Sequence, residues 1–145
     1  MRELPRQLSV EQLAELFEGR TRFVERLAEL ERPLESATEL IRRVPEDELV
    51  EALAAHPAIG AKGLSARSAR EQGPDDDAVI ETELAYLNQV YEEKFGFRFV
   101  VFVSGRPKGA ILDVLRERLQ RTREEELDTA MDELVAIARD RWQNP

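Results

Sequence analysis

Only one stretch of this 145-residue chain reads as a β-strand, and nothing else in the sequence is suited to pair with it. Phe97-Arg98-Phe99-Val100-Val101-Phe102-Val103 is rich in β-branched and aromatic residues, the composition of a strand. A strand without a partner leaves its backbone hydrogen bonds unmade. The segment is therefore expected to run as a buried, extended connector, with free amides available to a ligand. The rest of the chain is helical in pattern. The expected fold class is all-α: a single domain over residues 1–145, a compact bundle of about eight helices with 97–103 extended among them.

Helix start and stop signals recur at short intervals. Ser9-Val10-Glu11-Gln12 reads as a capping box opening a helix through Leu16-Phe17, closed by Gly19. A second helix is expected over about 21–30, ahead of Pro33. Ser36-Ala37-Thr38-Glu39 reads as another capping box, for a helix ending near Val44. Pro45 suits a first turn and 46–55 a fourth helix, stopped by His56-Pro57 because the residue before a proline avoids helical angles. A loop over 58–64 and a short helix over about 65–72 follow. Asp75-Asp76-Asp77 place negative charge at the start of what reads as the longest helix, with an apolar stripe of Ile80, Leu84, Leu87, Tyr91 and Phe95 ended by Gly96. A helix over about 110–121 precedes a third capping box, Thr122-Arg123-Glu124-Glu125. The last helix, to about Trp142, turns Leu127, Met131, Leu134 and Ala138 inward.

Composition removes several classes of function. Apolar residues make up 42% of the chain, too many for a disordered protein. With no cysteine there is no disulfide, no thiolate nucleophile and no sulfur-ligated metal. One histidine cannot build a histidine-rich metal site, and no phosphate-cradling glycine loop is present, so neither metal nor cofactor is expected. A formal charge of −9 with no basic block argues against nucleic acid. No apolar run approaches a membrane span, and Met1-Arg2-Glu3-Leu4-Pro5 lacks a signal-peptide core, so a cytoplasmic location is expected.

Three features carry chemistry. His56, the sole histidine, has an ordinary pKa near ~6.5 and suits proton transfer at neutral pH, although a histidine there also suits a helix C-terminus as a simple cap. Ser68, Glu71 and Gln72 share one face of the short helix, offering hydroxyl, carboxylate and amide to a small polar ligand, or else a solvated helix end. Arg141 lies seven residues after Leu134, within about 20° of the apolar stripe, whereas Arg139 projects to solvent. An inward arginine needs an anion from the protein or from a ligand, unless the last turn frays and the side chain reaches water.

These pieces, in this order, resemble one family. His56-Pro57, then Ser68-x-x-Glu71-Gln72, then Leu87-Asn88-x-x-Tyr91-x-x-Lys94-Phe95-Gly96-Phe97-x-Phe99-Val100, then Ile111-Leu112-x-x-Leu115-x-x-Arg118-Leu119, and finally Glu133-x-x-x-Ile137-x-x-x-Arg141, look like OHCU decarboxylase. That enzyme acts on 2-oxo-4-hydroxy-4-carboxy-5-ureidoimidazoline in urate degradation. The resemblance implies an all-helical fold and cofactor-independent decarboxylation to (S)-allantoin. It implies that His56 is the catalytic proton donor and that Glu71 orients it or the substrate. Pro57, Ser68, Gln72 and Arg141 would bind the anionic ureidoimidazoline, together with the backbone of Phe99, Val100, Val101, Phe102 and Val103. A homodimer is compatible with the family. Two positions depart from its pattern: Arg98 stands where proline is usual, and Arg121 where asparagine is usual. Arg98 keeps open a relative acting on another small ureido or imidazoline acid. A non-catalytic helical interaction module is the reading from another class, and it gives no reason to keep His56, Ser68, Glu71, Gln72 and Arg141 together.

Overall fold

A helix begins where something satisfies its first free N–H groups, and three side chains do so where the sequence places a hydroxyl. The computed structural model describes residues 2–59 and 78–145, with seven helices and no strand among them. Helix α1 (Val10–Phe17) starts at Ser9, whose hydroxyl accepts from the Gln12 amide at 3.1 Å while Gln12 accepts from the Ser9 amide at 3.0 Å. Helix α2 (Arg22–Ala28) is capped by Thr21. Helices α3 (Pro33–Ile41), α4 (Glu46–Ala55), α5 (Ala78–Phe95) and α6 (Lys108–Arg118) follow. Helix α7 (Arg123–Gln143) opens on the Thr122–Glu125 capping box.

Several boundaries differ from expectation for physical reasons. Ser36 caps nothing: it lies inside α3, which begins instead with Pro33 in its first turn, where a missing N–H has no intrahelical role. The Ser36 hydroxyl donates to the Glu31 carbonyl at 3.1 Å. Helix α6 opens at Lys108 rather than Ala110 and ends at Arg118. Among the described residues the last helix, at 21 residues, is longer than α5 at 18. The eighth expected helix, over 65–72, lies outside the described residues, as do the aspartates at 75–77. Gly96 ends α5 as expected, at φ +80°.

Helix α7 is the spine. Leu127, Met131, Leu134 and Ala138 recur at helical spacing, are buried, and face α1, α3 and α4. Helix α2 packs on α1, α3 and α4, while α5 and α6 form a second pair. Residues 97–103 join that pair to the spine as extended backbone without a strand partner, and Phe97, Phe99, Val100, Val101 and Val103 are buried. Their aromatic rings explain the burial: Tyr91 lies 5.2 Å from Phe99 and 6.0 Å from Phe97, edge to face.

The free carbonyls at helix C-termini are met by cations from distant elements. Arg123 donates to Phe95 at the end of α5 at 2.9 Å, and Lys94 donates to Leu119 just past α6. Arg141 donates to Leu16 in the last turn of α1 at 3.0 Å, and Arg98 reaches Ala54 in the last turn of α4 at 3.1 Å. The last two ends are the ones that meet at His56.

Candidate active site

His56 sits where α4 stops. Its backbone is extended, φ −79° and ψ 135°, as a following proline requires, while its amide still donates to Leu53 at 3.2 Å. The side chain is 8% exposed, and its Nδ1 has no hydrogen-bond partner among the described residues. Pro57 and Ile59 continue the turn half-buried, and the Asn88 amide of α5 donates to the Ile59 carbonyl at 3.4 Å.

The end of α1 is brought against the end of α4 by Gly19. A Cβ at that position would stand 3.0 Å from Ala55 Cβ, so glycine is there for close approach. The left-handed residue that closes α1 is Glu18 rather than the expected glycine, at φ 64°. A side-chain-bearing residue in that region is strained. Its carboxylate takes Arg141 Nη1 at 3.3 Å, and the same nitrogen donates to the Leu16 carbonyl. Arg141 is only 2% exposed, so the last turn of α7 does not fray and the guanidinium does not reach water. Its anionic partner is in part a protein carboxylate. Arg139 corrects the sequence reading: it is half-buried and donates to Leu34 at 2.7 Å instead of projecting to solvent.

Glu18 is the site residue that sequence reasoning missed. A signal existed. A carboxylate at a helix C-terminus opposes the helix dipole and so implies a nearby cation.

Charge around the imidazole favours its neutral form. Burial pushes the His56 pKa down from 6.5 to about 4; Arg141 and Arg98 push the same way, and Glu18 opposes them. At neutral pH the unliganded ring is therefore uncharged.

Arg98 lies beside the site without being free to turn into it. Its Nη1 donates to the His56 carbonyl at 2.6 Å and to Ala54, and its Nε pairs with Glu92 at 3.2 Å. Arg121 donates to Glu126 at 3.0 Å and to Thr129 at 2.8 Å.

The extended segment offers fewer backbone groups than expected. The Phe102 amide already donates to Glu133 at 3.3 Å, Val100 O accepts from Arg118 at 2.7 Å, and Arg106 donates to the carbonyls of Phe102 and Val103. No described residue bonds the amide or carbonyl of Phe99 or Val101. Both residues are buried. Behind them Glu126, fully buried, accepts from Tyr91 at 2.5 Å and from Arg118 at 2.7 Å. Burial, and then the bond to Glu126, push the Tyr91 phenol above its ordinary value, so it stays a neutral donor.

His56, Glu18, Arg141 and Arg98 thus gather at the meeting of α1, α4, α7 and the extended segment. Ser68, Glu71 and Gln72 lie outside the described residues. A surface hollow of about 550 Å³ beside Ser9, Gln12 and Glu29 involves none of these residues. Among the described residues no group of acidic and histidine side chains is arranged to hold a metal ion, and no helix is long and apolar enough to cross a membrane.

Comparison with known proteins agrees over nearly the whole chain. The family model described as OHCU decarboxylase matches residues 2–143. The chain is 31% identical to the uric acid degradation bifunctional protein PucL of Bacillus subtilis, over 96% of its own length but 30% of that protein's. It is 30% identical to the 2-oxo-4-hydroxy-4-carboxy-5-ureidoimidazoline decarboxylase of Haloferax volcanii, over 89% of this chain and 83% of that one. Among solved structures, an OHCU decarboxylase crystallised in the presence of (S)-allantoin superposes with a TM-score of 0.74 at 26% identity, covering 90% of this chain and 94% of that one. The chain spans about 30% of the length of the Bacillus bifunctional relatives.

Proposed function

This chain belongs to the OHCU decarboxylase family, and from that membership we propose that it decarboxylates 2-oxo-4-hydroxy-4-carboxy-5-ureidoimidazoline to (S)-allantoin in urate degradation. The observation that carries the proposal is His56: a buried imidazole with an unpartnered Nδ1, placed between two arginines where an anion would be welcome.

The chemistry asks little beyond positioning and a proton. In the substrate the leaving carboxylate is on a carbon next to a ring C=N. When the C–CO₂ bond breaks, its electron pair forms a C=C to the imine carbon and the C=N pair moves onto the ring nitrogen, which takes a proton. The resulting enol then loses its hydroxyl proton to become the carbonyl as the ureido-bearing carbon is protonated. The substrate supplies its own electron sink, so no cofactor is invoked. Arg141 anchors an anionic or carbonyl group. A bound carboxylate beside His56 opposes the field of Arg141 and Arg98, raises the ring's affinity for a proton, and converts it into the donor. Glu71 orients the imidazole or the substrate, and Pro57, Ser68 and Gln72 line the ligand. The unbonded backbone groups of Phe99 and Val101, within the stretch Phe99, Val100, Val101, Phe102 and Val103, meet its ureido and ring groups. Protonation from one face yields one enantiomer. Acid/base catalysis of this kind contributes typically 10²–10⁴-fold.

Arg98 gave a reason to consider another ureido or imidazoline acid. Its bonds to Ala54, His56 and Glu92 weaken that reason. We also propose a cytoplasmic location and, following the family, a homodimer; fractionation and sedimentation test them. The test of the reaction is to add the protein to freshly generated OHCU, alongside related acids, and follow circular dichroism. Rapid formation of optically active allantoin is expected, and His56→Ala should slow it at least ~100-fold. Only slow racemic product from the unmodified protein would overturn the assignment.

A further inference from the structure

We propose that Arg98 is a positioning residue for His56: its guanidinium clamps the carbonyl end of α4 and so fixes the direction from which the imidazole meets the substrate.

The orientation of the His56 Cα–Cβ bond is set by the two peptide planes on either side of Cα. The plane before it is held by the His56 amide, which donates to Leu53 at 3.2 Å. The plane after it belongs to His56-Pro57, and proline offers no N–H to fix it. What holds that plane is Arg98, whose Nη1 donates to the His56 carbonyl at 2.6 Å. The same nitrogen donates to Ala54 at 3.1 Å, so one guanidinium ties the last turn of the helix to the residue that leaves it. Glu92 of α5 takes Nε at 3.2 Å and keeps the fork from swinging away. Lysine could not copy this arrangement, having no planar fork to span carbonyls and carboxylate together.

The need is specific to this place. Among the described residues His56 Nδ1 has no partner, so none of them steadies the ring through that nitrogen. Its aim depends on the backbone that carries it. A misplacement of about 1 Å can cost ~100-fold in rate even when the chemistry is untouched. Arg98 lies within the extended segment, which has no strand partner among the described residues to stiffen it. The arginine supplies rigidity by bonding across to α4, and it leaves a guanidinium charge beside the imidazole.

This inference rests on the decarboxylase reading for its kinetic arm alone. Since His56 is the only histidine, its ring resonances are identified without assignment work. Arg98→Met is expected to lower kcat about tenfold or more with KM within twofold, and to move the His56 titration to higher pH as a neighbouring positive charge disappears. Added guanidinium should restore part of kcat, whereas equal ammonium should not. Arg98→Lys should restore the titration more than the rate. If Arg98→Met does not fold, Glu92→Gln frees one side of the fork and should lower kcat by a smaller factor and displace the imidazole resonances, with no rise in the titration midpoint because the guanidinium charge remains. Unchanged kcat with unmoved imidazole resonances would overturn the clamp and leave the decarboxylase intact. An unmodified enzyme inactive on OHCU would overturn the reading of the reaction, and the His56 resonances of Arg98→Met would still decide the clamp.

Discussion

Two arginines are buried among the described residues, Arg118 and Arg141, at 5% and 2% exposure, and they live in opposite circumstances. Arg118 of α6 faces Glu126, a fully buried carboxylate that also accepts from Tyr91 and Arg121. Its Nη1 holds the Val100 carbonyl, and its guanidinium carbon lies 4.6 Å from the centre of the Phe99 ring, leaving Nη2 without a bond among the described residues. Arg141 of α7 faces Glu18, whose side chain is 20% exposed and whose backbone is held in the left-handed region. Beside it stands a neutral imidazole with an unpartnered nitrogen. The first arginine is enclosed by partners and braces the extended segment. Beside the second stand a strained residue, Glu18, and an imidazole nitrogen without a partner among the described residues, features of the kind that cluster at functional sites.

The largest expected effect separates these roles. Glu126→Ala leaves two arginines and a phenol facing an empty partner position, and should cost about 3–5 kcal/mol in urea unfolding. Arg141→Met should cost much less, because Glu18 is able to rehydrate, yet should reduce turnover per folded molecule by ~100-fold or more. Equal losses of stability, with turnover per folded molecule unchanged in Arg141→Met, would break the comparison.

Next in size is a dependence on pH. The folded His56 pKa lies near 4 against an ordinary 6.5, so the unfolded chain binds its proton more readily. The resulting stability is complete above pH ~6.5 and is lost as pH falls toward 4, by about 3 kcal/mol in all. His56→Gln should remove that part of the acid sensitivity, as read by denaturant melts at pH 7 and pH 4.5. A variant as acid-sensitive as the parent would show the imidazole to be ordinary.

Gly19→Ala should follow at about 1–3 kcal/mol, since a methyl must be forced against Ala55. The same change should lower kcat by separating Glu18 from His56, which steady-state kinetics would reveal. Smallest in stability is Glu18→Gly. Relief of the left-handed strain, on the order of 1 kcal/mol, offsets the lost ion pair, so the melting temperature should barely move while turnover falls. A large melting shift would place Glu18 with the Arg118 brace instead.

The fold was legible in the sequence wherever local chemistry decides it. Ser9, Thr122 and Gly96 mark helix ends that a hydroxyl or a left-handed glycine sets by itself. The unpaired Phe97 to Val103 run announced an extended, buried connector because a strand without a partner has no other stable course. Ser36 misled because Pro33, three residues earlier, had already begun the helix. Of the site, Arg141 was legible from its angle on α7, and His56 from its place before Pro57. Glu18 and the grip of Arg98 were not. They depend on which helix ends meet in space, and contacts such as Gly19 with Ala55, far apart in sequence, leave no periodic trace. Arg139 shows the same limit, since its carbonyl partner is on α3.

In the ligand-free protein His56 stands neutral among Arg141 of α7, Arg98 of the extended segment and Glu18 at the end of α1, its Nδ1 without a partner among the described residues. The direct measurement is an NMR titration of the single imidazole in the folded, ligand-free protein. A midpoint near pH 4 is the predicted result. A midpoint at or above pH ~6.5 would mean a solvated or acid-paired ring, and would contradict the account.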